Sequence, residues 1–529
     1  GGLIEELRLE DAVRNPQRSF ELWDLLLYDK IKSEPNITLL LDTVVFAAET
    51  RDRKIQRVLA RCDKTEHLYR VNAKLSLDCT GDCRLGLEAG AEMRVGREAK
   101  GEWGESLAYD AADSRTQGSS ILFTARDYGR PMPFTAPKWA RTITKEMLKF
   151  RGVSSWDYGY WWIEWGGQWD TIRDHERIRF ELLSIVLGVW DYIKNSGEHP
   201  TSAHWALDWV GMAPGKRESR RLVGDYLLTQ HDLEGKNGEP EDGVAIGGWP
   251  MDDHPPSGFD AFDQAPFRSV KLPEVYSIPL RCLYSRNIEN LFMAGRNISA
   301  SHVAFSSTRV MATCAAMGQA VGTAAALCAR HGLHPRQLGA DEARLRELQQ
   351  TLLRDDQTLK GRPNADPNDL ARRAAVTASQ SREGARPENV IDGWVRDMAT
   401  EWRHRWGAPL GPEGAWLELA WETPQRIREI QITFDTGFHR ELTLSASAAV
   451  SRSIVRAPQP ETVRDYAFFY VPAGSGSDTS LRELVRVTGN YHRLNRHVVG
   501  PVETSRLRLE VTATNGDPLA RVYEVRVYG

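Results

Sequence analysis

The chain has 529 residues, 41% of them hydrophobic, enough to bury sizeable cores and to divide into two or three domains. A formal net charge of −4 and a pI near 6.4 exclude a basic surface of the kind that binds nucleic acid or an acidic membrane. Six cysteines without a CxxC pair argue against a metal site or a disulfide framework, and the lone CxxxC of Cys79 and Cys83 reads as packing.

Gly1-Gly2-Leu3-Ile4-Glu5-Glu6-Leu7 lacks an initiator Met and reads as the interior of a longer protein, so localisation stays open. No apolar run reaches the roughly 18 residues of a transmembrane helix. Residues 1–35 predict a loop and then a helix from Phe20 to Ser33, stopped by Pro35. The nearly continuous apolar run from Asn36 to Phe46 predicts a central strand, and Lys54 to Arg61 and His67 to Ala73 predict a meander beside it. Leu75 to Cys83 reads as a strand ending in Thr80-Gly81-Asp82. There glycine lets the backbone approach a ligand and the carboxylate can accept its donors.

The middle of the chain holds nine tryptophans between Trp156 and Trp249, which either fill a core or line a pocket for a flat or sugar-like substrate. Apolar residues recur at helical spacing from Asp174 to Asn195, so that stretch is scaffold. In Gly215 to Tyr226, four cations crowd around Glu218. They need acidic partners or an anionic ligand, unless they begin a solvated helix. Gly247 to Pro256 is a rigid turn carrying Asp252, Asp253 and His254, without the ligand spacing of a metal site. Tyr276 to Tyr284 predicts a strand leading back to Leu291–Ala294, another short strand. A loop with Gly295, Arg296, Asn297, Ser301, His302, Ser307 and Arg309 follows, and then a buried helix from about Thr308 to Arg330. The polarity of that loop between two apolar elements points to a site, since a helix start presents free N–H groups and positive potential.

Here the chain becomes recognisable. AGRNISASHVAFSSTRVMATCAAMGQAVGTAAAL, together with the earlier TGD and LEAGAEMRVGRE, resembles the FAD-dependent oxidoreductases related to glutathione-reductase-like flavoproteins. The resemblance implies an FAD cofactor contacted by Val45, Thr80, Gly81, Asp82, Gly295, Arg296, Ser307 and Arg309. It also implies a site that includes Arg217, Glu218, Arg220 and Arg221, because these oxidoreductases carry the same Arg-Glu-Ser-Arg-Arg pattern near the flavin. His302 is the expected base, since an imidazole titrates near neutrality. Glu218 and Arg220 join it as catalytic candidates, and Arg217 and Arg221 as substrate-binding ones. The strand, GxGxxG and helix that hold the FAD pyrophosphate in such proteins do not occur in this sequence, so the chain alone is expected to hold FAD weakly or not at all.

A helix through Leu345 and Leu353 and a polar, Pro-containing linker at 356–372 precede a change to short alternating strands. Pro387-Glu-Asn-Val-Ile-Asp-Gly, Trp402, WLEL, IREIQITFD and YEVRVY resemble the discoidin or galactose-binding-like jelly roll. That resemblance implies a structural or glycan-binding module with Trp394, Trp402 and Trp406 as candidate contacts.

The expected architecture is therefore an incomplete Rossmann-like α/β FAD-binding domain, with an inserted α+β substrate domain, followed by an all-β jelly-roll sandwich. Its parts are residues 1–99 and 286–355 for FAD, 100–285 for substrate, 356–372 as linker and 373–529 as sandwich. The expected reaction is hydride transfer between flavin N5 and a small-molecule substrate, for which a carbohydrate-related compound is one option. A redox-neutral lyase or isomerase on sugars, and a carbohydrate-binding protein on an inactive oxidoreductase scaffold, are the alternatives. Substrate, electron acceptor and oligomeric state are not set by the sequence.

Overall fold

A computed structural model describes residues 1–153, 155–397, 403–474 and 479–529. Packing divides the chain into two compact units, one of 40–348 with 446–448 and one of 1–39 with 349–445 and 449–529. Residues 1–39 therefore pack with the C-terminal strands, whereas sequence grammar groups them with the FAD-binding part. Their helices are Gly2–Arg14, where a loop is expected, and Phe20–Ser33, as expected. They are tied to this unit by the buried Asp11, whose carboxylate accepts from Arg456 at 2.8 Å, and by Glu5, which accepts from Thr436 at 2.7 Å.

In the 40–348 unit, the expected central strand 36–46 is instead an edge strand, Thr43–Arg51, in the three-stranded antiparallel sheet with Lys54–Cys62 and Leu68–Val71. Asp42 adopts a left-handed φ of 52°, and that turn breaks the apolar run before the strand begins. The strands Ser76–Asp78 and Leu291–Met293 pair in parallel, although they are far apart in sequence. Parallel neighbours bring both carboxyl ends to one edge, and in open α/β sheets ligands bind beyond such ends. The tight turns Gly81 (φ +73°) and Gly295 (φ +104°) lie just past them.

The helix His175–Asn195 buries Ile178, Leu182, Ile185, Val186 and Val189, as its periodicity predicts. Trp190 is fully buried there, edge-on to Phe123 with ring centroids 5.4 Å apart. The long helix expected from about Thr308 to Arg330 is Met311–His331, and a second, short helix, His302–Thr308, forms where a loop is expected; Val310, with extended backbone (φ −71°, ψ 145°), separates them. Met311–His331 has the length and mean hydropathy, 1.3, of a membrane span. Met317, Val321, Ala324 and Leu327 are buried while Gly318 and Gly322 face open space, so the helix is buried on one side only, not all round.

In the other unit, seven antiparallel strands form a sheet folded over a core of Trp406, Leu417, Ile430, Tyr466, Phe468 and Val525. The fold-over falls where Ala415–Phe434 shifts register against its partner between Ala420 and Gln425, so one strand serves both layers. The WLEL and IREIQITFD segments are thus one long strand. Trp406 is a core residue hydrogen-bonded to Gln380 O at 3.1 Å, not a loop contact. Trp402 lies outside the described residues.

Candidate active site

Two regions of the 40–348 unit bring the predicted polar residues together. The first lies past the parallel strand ends. Asp82 accepts from Arg296 Nη2 at 2.8 Å and Ser219 Oγ at 2.7 Å, and pairs with Lys216. Burial would raise the Asp82 carboxyl, but Lys216, Ser219 and Arg296 hold it below the usual carboxylate range. A Cβ on Gly81 would lie 2.6 Å from Arg296 Nη1, so this turn requires glycine both for space and for its positive φ. Arg296 Nε, Asn297 Oδ1 and Ser299 Oγ are buried without hydrogen-bond partners, and such atoms favour a polar ligand nearby. The cradle of Gly81, Asp82, Gly295 and Arg296 thus offers unsatisfied buried polar atoms beyond the two strand ends. Thr80 is exposed and caps the turn, accepting from Arg84 N at 2.8 Å. Val45 is half-buried, its carbonyl accepting from Arg84 Nε at 3.0 Å.

The second region is a pair of buried charge relays that diverge from one strand, Met251–Asp253. Adjacent side chains on a strand point to opposite faces. Asp253 accepts from Tyr109 Oη at 3.1 Å and faces His302 Nε2 at 3.1 Å, while His302 Nδ1 lies 3.0 Å from Glu218. Glu218 also accepts from Arg221 Nη1 at 2.6 Å and from Gln117 N at 2.9 Å, and Arg221 continues to Glu98 at 2.9 Å. Burial alone would lower the His302 pKa, but Glu218 and Asp253 outweigh it and raise the value to about 10. His302 is therefore an imidazolium at neutral pH with both nitrogens engaged, where the sequence suggested a free base.

Asp252 leads the other way. It faces His254 Nε2 at 3.2 Å and accepts from Arg309 Nη2 at 3.2 Å, and His254 Nδ1 lies 2.7 Å from Glu164, which Arg217 Nη1 approaches at 3.3 Å. Burial opposes the charge on His254, yet Glu164 and Asp252 raise its pKa.

The 217–221 segment does not begin a helix. It is extended, with Arg220–Leu222 paired to Met93–Val95, so its side chains fan out to different partners. Arg217 and Arg221 end in separate relays, Ser219 joins the first region, and the Arg220 Nε is buried with no partner. Ser307 donates to Trp249 O at 2.5 Å and contacts Tyr276 Oη at 2.8 Å, which ties the helix to neighbouring segments. Arg309 joins the second relay rather than the Gly81 cradle. Sequence reasoning passed over Glu98, Glu164 and Tyr109. The only hint of the two glutamates was the excess of cations at 217–221, which called for buried carboxylates somewhere. Among the described residues, no group of His, Cys, Asp and Glu is arranged to hold a metal ion.

Comparison with known proteins places the chain in a family. Residues 4–352 match the family described as FAD dependent oxidoreductase, and the chain belongs to that family. Residues 369–447 match a domain of unknown function (DUF7402). No curated protein matches the chain. Solved structures similar to it include chitosan-binding module 1 of a chitosanase/glucanase from Paenibacillus sp. IK-5, at 16% identity and a TM-score of 0.23, covering 30% of this chain and 98% of that one. A family 32 carbohydrate-binding module of Streptococcus pneumoniae EndoD is similar at 17% identity and a TM-score of 0.23, over 30% and 98% of the two chains. The family 32 module of C. perfringens NanJ, solved with galactose, matches at 11% identity and a TM-score of 0.23, over 31% and 98%.

Proposed function

We propose that this chain carries the substrate site and the flavin-facing part of an FAD-dependent oxidoreductase acting on a small molecule. The observation that carries the reading is the Gly81–Asp82–Gly295–Arg296 cradle at the carboxyl ends of two parallel strands. FAD, when bound, supplies hydride transfer at N5. Arg296 and the helix start at Met311 would hold and polarise its electron-rich edge. The chain's own contribution to proton movement is the relay Tyr109–Asp253–His302–Glu218. Tyr109, 37% exposed, is its outer end, and the imidazolium holds protons at Nε2 toward Asp253 and at Nδ1 toward Glu218. Such a relay returns a proton to a substrate oxygen or accepts one through the Asp253 carboxylate, while Arg221 and Glu98 fix its inner end.

The test is titration of the chain with FAD and with riboflavin, followed by quenching of flavin fluorescence. Riboflavin lacks the pyrophosphate and so reports the cradle alone. Saturable quenching by both, weakened at least about tenfold by Arg296→Ala, supports the reading, the loss of one charge-assisted contact being worth about 1.5–3 kcal/mol. The reading fails if flavin quenches but the variant binds it like wild type.

For the C-terminal unit a glycan-binding role is favoured by one loop cluster. The Trp394 ring stands 5.3 Å from that of His404, which Asp392 holds at 2.8 Å, an aromatic surface with polar groups beside it. Binding to immobilised polysaccharides, lost in Trp394→Ala, would support it. Binding that survives the change would place the contacts elsewhere.

A further inference from the structure

The second relay has a charge imbalance that the first does not share. Arg217, His254 and Arg309 converge on only two carboxylates, Glu164 and Asp252. Three side chains that carry or can take up positive charge thus face two carboxylates, and they are strongly desolvated: the side chains of Arg217 and Arg309 are 13% exposed and that of His254 is 3% exposed. Arg309 is the member least well served. Its Nη2 meets Asp252 Oδ2 at 3.2 Å and His254 Nε2 at 3.4 Å, while its Nε is buried with no hydrogen-bond partner. Burial, and then the nearby Arg217, lowers its pKa, so the surroundings disfavour the cation that the guanidinium must remain. A buried donor left unpaired on a cation is costly, and a ligand acceptor there would remove that cost.

An aromatic wall stands beside this cluster. The Trp161 ring packs edge-on against His254 with centroids 5.6 Å apart and against Phe267 at 5.1 Å, and both aromatics remain about 40% exposed. Arg217 is anchored to the same wall through Trp161 O at 3.0 Å and to Ser120 Oγ at 2.7 Å, so its position is fixed before any ligand arrives. A planar, two-pronged anion satisfies a guanidinium fork better than any neutral group, and an exposed indole favours the flat face of a ring.

We propose that Arg309, with Arg217 and His254, forms a carboxylate-binding subsite, so that the substrate of this oxidoreductase is an organic acid whose ring or chain lies against Trp161. Arg221, although in the same sequence cluster, takes no part. It is 1% exposed and its guanidinium is engaged by Glu98, Glu218 and Gly96 O. The proposal rests on the oxidoreductase reading only for the word substrate, since the subsite itself is a property of the chain without flavin.

The test uses the full chain without added flavin and three probes: acetate, D-glucuronate and D-glucose. D-Glucose shares the ring of D-glucuronate but carries a hydroxymethyl group in place of the carboxylate. Thermal stability and tryptophan emission are followed against probe concentration at constant ionic strength. Saturable stabilisation and an emission change with both carboxylates, at least about tenfold weaker with glucose, are expected, because loss of a charge-assisted pair removes that factor. Arg309→Gln should abolish the carboxylate response, and Arg309→Lys, which keeps the charge but not the fork, should keep a weakened one. Circular dichroism of each variant confirms that it is folded, and the lysine variant carries the test if the glutamine variant is not. The proposal is overturned if wild type responds to neither carboxylate, if glucose matches glucuronate, or if Arg309→Gln binds as wild type does. A chain that binds carboxylates but whose flavin quenching is unchanged by Arg296→Ala would count against the flavin reading and leave the subsite standing.

Discussion

His302 offers a measurement whose size and sign both follow from its surroundings. Its folded pKa is raised, from 6.5 to about 10, by Glu218 and Asp253 acting against burial. The folded chain therefore binds the His302 proton more tightly than the unfolded chain does. The stability this provides is fully present below pH 6.5 and is lost as pH rises toward 10, at about 1.4 kcal/mol per pH unit. Over that interval the loss is on the order of 5 kcal/mol, large beside the roughly 5–15 kcal/mol of a typical domain. Because the chain comprises two compact units, a single global melting curve would mix them, and amide hydrogen exchange of the helix His302–Thr308 is the better assay. Corrected for intrinsic exchange, protection of that helix should fall steadily between the two pH values. His302→Gln should remove most of this slope and, near pH 6.5, lower protection by about 3–5 kcal/mol, since it leaves two buried carboxylates short of a cation. His254 adds a slope of its own in the neighbouring relay, so the decisive comparison is between wild type and variant. Flat wild-type protection, or identical slopes in the two chains, would refute the charged imidazole.

Gly81→Ala should destabilise the strand-end turn by about 1–3 kcal/mol and weaken riboflavin quenching, because the new Cβ needs a left-handed φ and meets Arg296 at 2.6 Å; unchanged quenching would remove Gly81 from the cradle. Trp190→Ala should cost about 3–5 kcal/mol in the 40–348 unit, read as lost exchange protection in the helix His175–Asn195, since the ring is fully buried against Phe123. Trp406→Ala should cost a similar amount and unprotect the strand Leu519–Tyr528 while leaving the helix His175–Asn195 unaffected, because its ring belongs to the sandwich core. Loss of protection in both places would mean that the two units unfold together.

Features written in periodicity or in a continuous motif were legible before the structure. The helix His175–Asn195 and the sandwich strands follow from spacing, because each buries one face. The AGR and TGD segments were legible as a pair, and the parallel pairing of Leu291–Met293 with Ser76–Asp78 explains why two motifs so far apart belong together. Other features depend on tertiary context. The run before Phe46 looked central because it is apolar, yet Val44 is 60% exposed on an edge. The break at Val310 has no proline or glycine to announce it. Asp252, Asp253 and His254 were noticeable as a cluster, but nothing local says that Asp253 reaches back to His302 while Asp252 turns to Arg309. Glu98 and Glu164 are single carboxylates in ordinary surroundings, and only the need to neutralise the 217–221 cations implied them.

The divergence at Asp252 and Asp253 also bears on what this site can accept. With His302 charged, the relay from Asp253 through His302, Glu218 and Arg221 to Glu98 holds three carboxylates and two cations, the opposite balance to the other relay. Its surplus negative charge is enclosed: Glu98 is 6% exposed, and its second oxygen accepts from His302 N at 2.8 Å, a fixed dipole that no substrate replaces. The positive charge of the Asp252 relay has no such internal answer, since Arg309 Nε has no acceptor and the nearest ring wall is partly open to solvent. Charges in a buried site act on one another through a medium of low dielectric, so the two relays, joined at adjacent residues, bear on each other's charge state. A ligand anion at Arg309 would then bear on the proton affinity of His302 through Asp252 and Asp253, adjacent residues of one strand. Carboxylate binding should accordingly raise the pKa of His302 further, because an added negative charge nearby favours the imidazolium, as Glu218 and Asp253 already do. Acetate should therefore raise the pH at which the His302–Thr308 helix loses protection, and an unchanged pH would mean that the two relays are electrostatically independent.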